Sequence, residues 1–132
     1  MRGKGAGLVT QAEQAIRRYF DAWLAKSDAG ISALFVQDAV YSECYGPEYR
    51  GREQILRWFH EWNETGSVTK WEIKTCFQSG ALLAAEWSFC CVDRGRTSAF
   101  DGVTIAQFDA DGRIRALREY RSEPEHVLPY GP

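Results

Sequence analysis

The side chains best suited to moving a proton in this chain are carboxylates set among aromatic rings, and Glu43 is the sharpest of them. It stands in residues 39–45 (AVYSECY), a stretch that reads as a strand ended by Gly46-Pro47. On such a strand Tyr41 and Glu43 share one face, and Val40, Ser42 and Cys44 share the other. If the Glu43 face closes on an aromatic hollow, the carboxylate loses hydration, its pKa rises, and it becomes a better base near neutral pH. If that face meets water, Glu43 is a surface glutamate on an edge strand beside Arg50 or Arg52. On the pattern alone the surface reading prevails.

Glu119 and Arg121 pose the same question. With Leu117 facing in, strict alternation carries both inward, where a Glu/Arg pair is costly unless mutually paired or bound to a polar substrate. That placement suits a polar or carboxylated ligand, whereas a bulge would shift the register and hand both charges to water. Asp101 is similar. Alternation puts Phe100, Gly102 and Thr104 inside and Asp101 outside, and one bulge near Gly102 would reverse this. Tyr19 falls in an apolar stripe with Ile16, Phe20 and Trp23, either as a core tyrosine with a satisfied hydroxyl or as a donor toward a ligand.

Other chemistries find less support. The four cysteines (Cys44, Cys76, Cys90 and Cys91) show no C-x-x-C spacing, and with only His60 and His126 no zinc pattern can be assembled. Ser and Cys nucleophiles lack an assignable His partner. His60 sits one position off an aromatic stripe and reads as a polar-face residue. Asp93-Arg94-Gly95-Arg96 has too little basic company for nucleic acid and reads as a solvated hairpin end. A net charge of −2, from 16 Lys+Arg and 18 Asp+Glu, gives no general pull toward nucleic acid or anionic lipid. The start, MRGKGAGLV, lacks the apolar core of a signal peptide, and no run approaches the roughly 18 apolar residues of a membrane span. The expectation is a cytoplasmic protein with reduced thiols and no metal, nucleic-acid or membrane partner.

The elements that must position these groups follow from periodicity. A chain of 132 residues, 45% of them hydrophobic, suits one domain with a core of its own. Five Trp, six Tyr and seven Phe imply a heavily aromatic core or an enclosed apolar cavity. Trp23, Trp58, Trp62 and Trp87 read as core or pocket wall rather than a ligand cage. Residues 1–10 read as a flexible start. Thr10-Gln11-Ala12-Glu13 has the form of a capping box, and Ala15, Ile16, Tyr19, Phe20, Trp23 and Leu24 recur behind it at helical spacing. A short helix with Ile31, Leu34 and Phe35 precedes the 39–45 strand. A third helix fits residues 51–64, with Ile55, Trp58, Phe59 and Trp62 on one side. From Val68 the period becomes two: Trp71, Ile73, Thr75 and Phe77 share one face, then Leu83, Ala85, Trp87, Phe89 and Cys91. Strands over 97–108 and 113–122 flank a turn at Asp109-Ala110-Asp111-Gly112, and residues 124–132 form an irregular tail. Helices grouped ahead of consecutive hairpins imply an α+β fold, with helices packed on one face of a curved antiparallel sheet.

This order resembles the nuclear transport factor 2-like superfamily, with its SnoaL-like polyketide cyclases and ketosteroid isomerases, over roughly residues 11–123. Three segments carry the resemblance: Arg18-Tyr19; DAVYSECYG at residues 38–46 followed by GREQI at 51–55; and FDADGRI at 108–114 running on to Tyr120-Arg121-Ser122-Glu123. The resemblance implies a cone, a bent sheet around a long helix with an internal pocket, and a homodimer through the outer sheet face in which Cys90 and Val92 take part. It implies cofactor-free proton transfer on a small hydrophobic carbonyl compound, by isomerisation or aldol-type cyclisation. Glu43 falls at the acid/base position and Tyr19 at that of the phenol which donates to the developing enolate, a mechanism borrowed from that family. The second donor, an aspartic acid in the isomerases, falls on Thr104, and two supporting tyrosines fall on Phe35 and Phe59, which thins the oxygen site. Phe100, Trp58 and Phe59 would form the wall, and Glu119 and Arg121 would bind substrate. The competing expectation is a non-catalytic ligand-binding or assembly domain on the same scaffold. Hydration or dehydration chemistry would instead need Glu119 and Arg121 together, holding a water.

Overall fold

A computed structural model describes residues 9–132; the flexible start expected over residues 1–10 lies, for residues 1–8, outside the described residues. Helix α1 (Gln11–Ala25) begins where the capping box places it, with the Thr10 hydroxyl accepting from the Glu13 N–H at 3.1 Å. Of its expected stripe, Ala15, Ile16, Tyr19, Phe20 and Trp23 are buried, joined by Ala12, whereas Leu24, read as part of it, is exposed. Each large buried member gains about 1.5–3 kcal/mol from leaving water. Helix α2 (Ile31–Leu34) leads directly into β1 (Phe35–Ser42), followed by β2 (Glu48–Arg50) and α3 (Arg52–Thr65). Four long strands complete the chain: β3 (Gly66–Ser79), β4 (Leu82–Asp93), β5 (Arg96–Phe108) and β6 (Ile114–Ser122).

The six strands form one sheet in the order β2-β1-β6-β5-β4-β3. The architecture is the expected α+β one, a curved, unclosed sheet with the helices on its inner side. The pairs are antiparallel except β1–β6, which run parallel through Val40↔Ala116 and Tyr41↔Leu117. That pair brings the Glu43 segment beside the Glu119 segment. Helix α1 docks on β3, where the Phe20 ring stacks on Trp71 at 3.9 Å.

The strand boundaries and faces differ from the sequence reading in three places, at β1, β2 and β3. β1 begins at Phe35 and ends at Ser42, so Glu43 lies just past the strand, in the turn. β2 was not anticipated; three residues after a proline carry no strand signal, and pairing with β1 through Val40↔Arg50 supplies the order. In β3 the register shifts between Ile73 and Thr75. The extra residue reverses the alternation, so Cys76 packs on the core and Phe77, read as sharing the Trp71 face, is exposed. In β6 the irregularity falls between the pairs of Gln107 and Phe108, upstream of Leu117, and leaves Glu119 inward. β5 runs without a bulge: Phe100, Gly102 and Thr104 are buried, and Asp101 faces out to Lys74 at 3.2 Å and Ser88 at 3.0 Å.

His60 sits on the polar face, its Nε2 2.6 Å from Asp28 Oδ2. All four cysteines are free thiols. Among the described residues no helix is long and apolar enough to cross a membrane.

Gly102 shows how tightly the inner face is built. A Cβ there would stand 2.4 Å from both Trp87 Cη2 and the Tyr120 carbonyl oxygen. Gly102→Ala is therefore expected to destabilise the fold by about 2 kcal/mol, because the backbone carbonyl cannot give way. A thermal melt checks this; a melting temperature equal to wild type would show that the ring and strand relax freely.

Candidate functional site

Between the helices and the inner sheet face lies a cavity of about 260 Å³, at the small end of ligand pockets. Trp23 from α1 and Trp58 and Trp62 from α3 form one side. Trp71, Trp87, Phe89 and Phe100 from the sheet form the other. The rings brace each other: Trp23 lies 4.9 Å from Trp58 and 5.5 Å from Trp62, and Trp71 lies 5.7 Å from Trp87.

Glu43 is fixed by the turn between β1 and β2. Its N–H donates to the Pro47 carbonyl at 2.9 Å, and its own carbonyl accepts from the Gly46 N–H at 3.2 Å. Its side chain lines the cavity and accepts a hydrogen bond from the Tyr49 hydroxyl at 3.3 Å. Tyr49 in turn stacks on Trp58 at 4.6 Å. Loss of water pushes the Glu43 carboxyl up to about 7, against the smaller downward pull of the Tyr49 hydroxyl.

Glu119 enters the same cavity from β6. Its Oε2 accepts from the Tyr41 hydroxyl at 2.5 Å. Desolvation pushes its carboxyl up to about 8; the Tyr41 hydroxyl opposes this and the charge of Glu43 adds to it. Two acids thus share one aromatic hollow, each held by a different phenol. Burial raises both carboxyls toward neutrality, and the more deeply buried Glu119 further than Glu43.

The remaining predicted site residues divide by position. Trp58 and Phe100 line the cavity. Phe59 stands behind the wall, edge-on to Trp23 at 4.6 Å. Tyr19 is fully buried beneath it, at 5.9 Å from the Tyr41 ring and 5.3 Å from Phe35, with no hydrogen-bond partner for its hydroxyl among the described residues. Burial and then the Glu119 charge raise its pKa, while the Tyr41 and Trp23 side chains pull the other way. Thr104 is also fully buried, and its Oγ1 accepts from the Trp87 indole N–H at 2.8 Å. Thr104 pairs directly across the sheet with Glu119.

Arg121 does not meet Glu119. Its guanidinium lies over Phe100 at 4.5 Å and over Tyr45 at 5.4 Å, and it pairs with Glu123 at 3.1 Å. The Glu119–Arg121 arrangement that hydration chemistry would need is therefore not formed.

Sequence reasoning missed four contributors. Tyr41 and Tyr49, the phenols on the two acids, depend on pairings between segments far apart in the chain or on the unforeseen β2. Trp71 was read only as a strand residue. Asp93, read as part of a solvated hairpin end, lines the cavity. Its signal was present, because the inward series Leu83, Ala85, Trp87, Phe89, Cys91 reaches Asp93 at its next step.

The profile of the SnoaL-like domain family matches residues 16–117. A steroid Δ-isomerase of Nocardioides simplex is 25% identical over 123 residues, 89% of this chain and 95% of that one. Solved structures share the fold. An LEH-like epoxide hydrolase of M. tuberculosis superposes with a TM-score of 0.77 at 19% identity, covering 85% of this chain and 83% of the other. A protein with a ketosteroid isomerase-like fold from Catenulispora acidiphila, solved with trimethylamine, gives a TM-score of 0.73 at 20% identity, covering 87% and 89%.

Proposed function

The chain belongs to the SnoaL-like domain family, and from that premise we propose that it catalyses proton transfer next to a carbonyl group of a small hydrophobic compound, by isomerisation or aldol-type cyclisation. The observation that carries this reading is that Glu43 and Glu119 enter one aromatic cavity, each held by a different phenol and each raised by loss of water. Ionised Glu43 takes the proton from the α-carbon; the C–H electron pair moves into the carbonyl and makes an enolate. Glu119, still protonated, donates a hydrogen bond to the enolate oxygen, and Tyr41 holds it in place from behind. In isomerisation the new Glu43 acid returns its proton to the γ-carbon of a conjugated dienolate and the double bond shifts; in cyclisation the enolate carbon attacks a second carbonyl, whose oxygen becomes an alkoxide and takes the proton back from Glu43. This exchange needs only the two carboxyl groups.

In this reading the donor that the isomerases keep at the Thr104 position has moved across the sheet to its pairing partner, Glu119. Tyr19 and Thr104 act from the layer below the cavity, Tyr19 toward Tyr41 and Thr104 toward Trp87. A homodimer through the outer sheet face belongs to the same reading, supported by the exposed Phe77, Leu82 and Tyr120 on that face.

The test is solvent-deuterium exchange into the α-positions of a panel of hydrophobic ketones headed by 2-tetralone, followed by NMR. Exchange above the buffer rate supports catalysis. A raised melting temperature with ketone and exchange no faster than buffer would instead identify a non-catalytic ligand-binding domain.

A further inference from the structure

We propose that the compound bound in this cavity carries a permanent positive charge, an alkylammonium group seated among the indoles near Asp93, so that the substrate class is a cationic carbonyl compound. The carbonyl half of this inference rests on the acid/base reading above; the ammonium half stands on the wall itself. All five tryptophans of the chain line this one cavity. A quaternary ammonium sheds water readily and is drawn to the negative face of aromatic rings, most strongly to Trp.

The acid and base groups of the wall can carry charge of one sign only, from Asp93 and Glu43, with Glu119 protonated in the acid/base reading. Among the described residues the wall carries Glu43, Glu119 and Asp93 and no lysine, arginine or histidine. A carboxylated ligand, which the Glu119–Arg121 pattern suggested, would meet like charge there. Asp93 has no part in the proton transfer. One of its oxygens accepts from the Thr65 hydroxyl at 2.9 Å, and among the described residues the other makes no hydrogen bond or ion pair.

The rim shows the same preference in the protein's own side chains. The Arg121 guanidinium lies on the Phe100 and Tyr45 rings, with Glu123 balancing its charge. These rings already hold a cation where the cavity wall ends.

The experiment compares two ligands of one shape with the unmodified protein. Acetonyltrimethylammonium and its uncharged isostere 4,4-dimethylpentan-2-one are titrated by calorimetry and by tryptophan fluorescence. The cation is expected to bind at least about tenfold tighter than the isostere, and Asp93→Asn is expected to narrow that ratio. Equal or tighter binding of the neutral ketone, or no binding of the cation, overturns the inference. The comparison on the unmodified protein decides the matter even if Asp93→Asn does not fold. Running both ligands in deuterium oxide separates the two readings. Tighter cation binding without exchange keeps the ammonium site and sinks the proton transfer, and exchange of both without preference for the cation does the reverse.

Discussion

Glu43→Gln is expected to lower α-proton exchange by about 10²–10⁴-fold while ligand affinity changes little, because a glutamine amide has the shape of the carboxylate but no basic lone pair. The fall should appear at saturating ketone, as a loss in turnover rather than in binding. The substitution leaves the turn that holds residue 43 intact, since both of its backbone hydrogen bonds involve main-chain atoms on the residue 43 side. Tyr49 can donate to the amide oxygen as it donates to Glu43 now. Single-turnover exchange in deuterium oxide, read beside a binding isotherm, makes the measurement. A variant that exchanges as fast as wild type would remove Glu43 from the mechanism and hand the role of base to another acid of the cavity, Glu119 or Asp93.

The second large effect concerns Glu119 and runs in opposite directions for activity and stability. Its carboxyl is held up to about 8 in the fold, against an ordinary glutamate value of 4.5. Between those values the folded protein keeps a proton that the unfolded chain has lost, so stability falls as pH rises through the window and levels off above it. Each retained proton contributes up to about 1.4 kcal/mol per pH unit to that fall. Glu43, held up to about 7, adds to the lower part of the same window. Glu119→Gln removes one of the two contributions, so its melting temperature should decline less between pH 5 and pH 8 than that of wild type (~5 to ~8, the interval set by the two carboxyls). A decline as steep as wild type would show that Glu119 is ionised throughout.

The activity profile follows from the same two groups. Exchange rises as Glu43 loses its proton near 7 and falls as Glu119 loses its proton near 8, giving a narrow bell whose limbs belong to the coupled pair. The phenols and thiol that interact with the pair, Tyr41, Tyr49, Tyr19, Tyr45 and Cys44, are all raised above their ordinary values by burial, so none of them ionises in this range. Glu119→Gln should lower the maximum rate and abolish the alkaline limb together. If the limb persists, another group supplies the acid.

The elements were legible because each one is announced by its own neighbours. The capping box at Thr10, the apolar stripe from Ala15 to Trp23, the alternation from Leu83 to Cys91 and the turn at Gly112, with its φ of 82°, are all local patterns. Where local pattern failed, it was overruled by pairing or by a bulge. β2 has no signal apart from its partner, and the shift after Ile73 turns Phe77 outward although its alternation with Trp71 and Ile73 is unbroken in the sequence.

The candidate site divides along the same line. Read alone, the residues establish an α+β chain, place Glu119 on the face of Leu117, and mark Glu43 as a carboxylate near aromatic neighbours. They could not show that Glu43 and Glu119 meet. That encounter depends on the parallel pairing of β1 with β6, between segments more than seventy residues apart, and on closure of the helices over the sheet. The raised pKa values, the removal of Thr104 and Tyr19 to a layer beneath the cavity, and the turn of Arg121 toward Glu123 arise only there. Desolvation is a property of everything packed around a group, and the linear order of residues does not contain it.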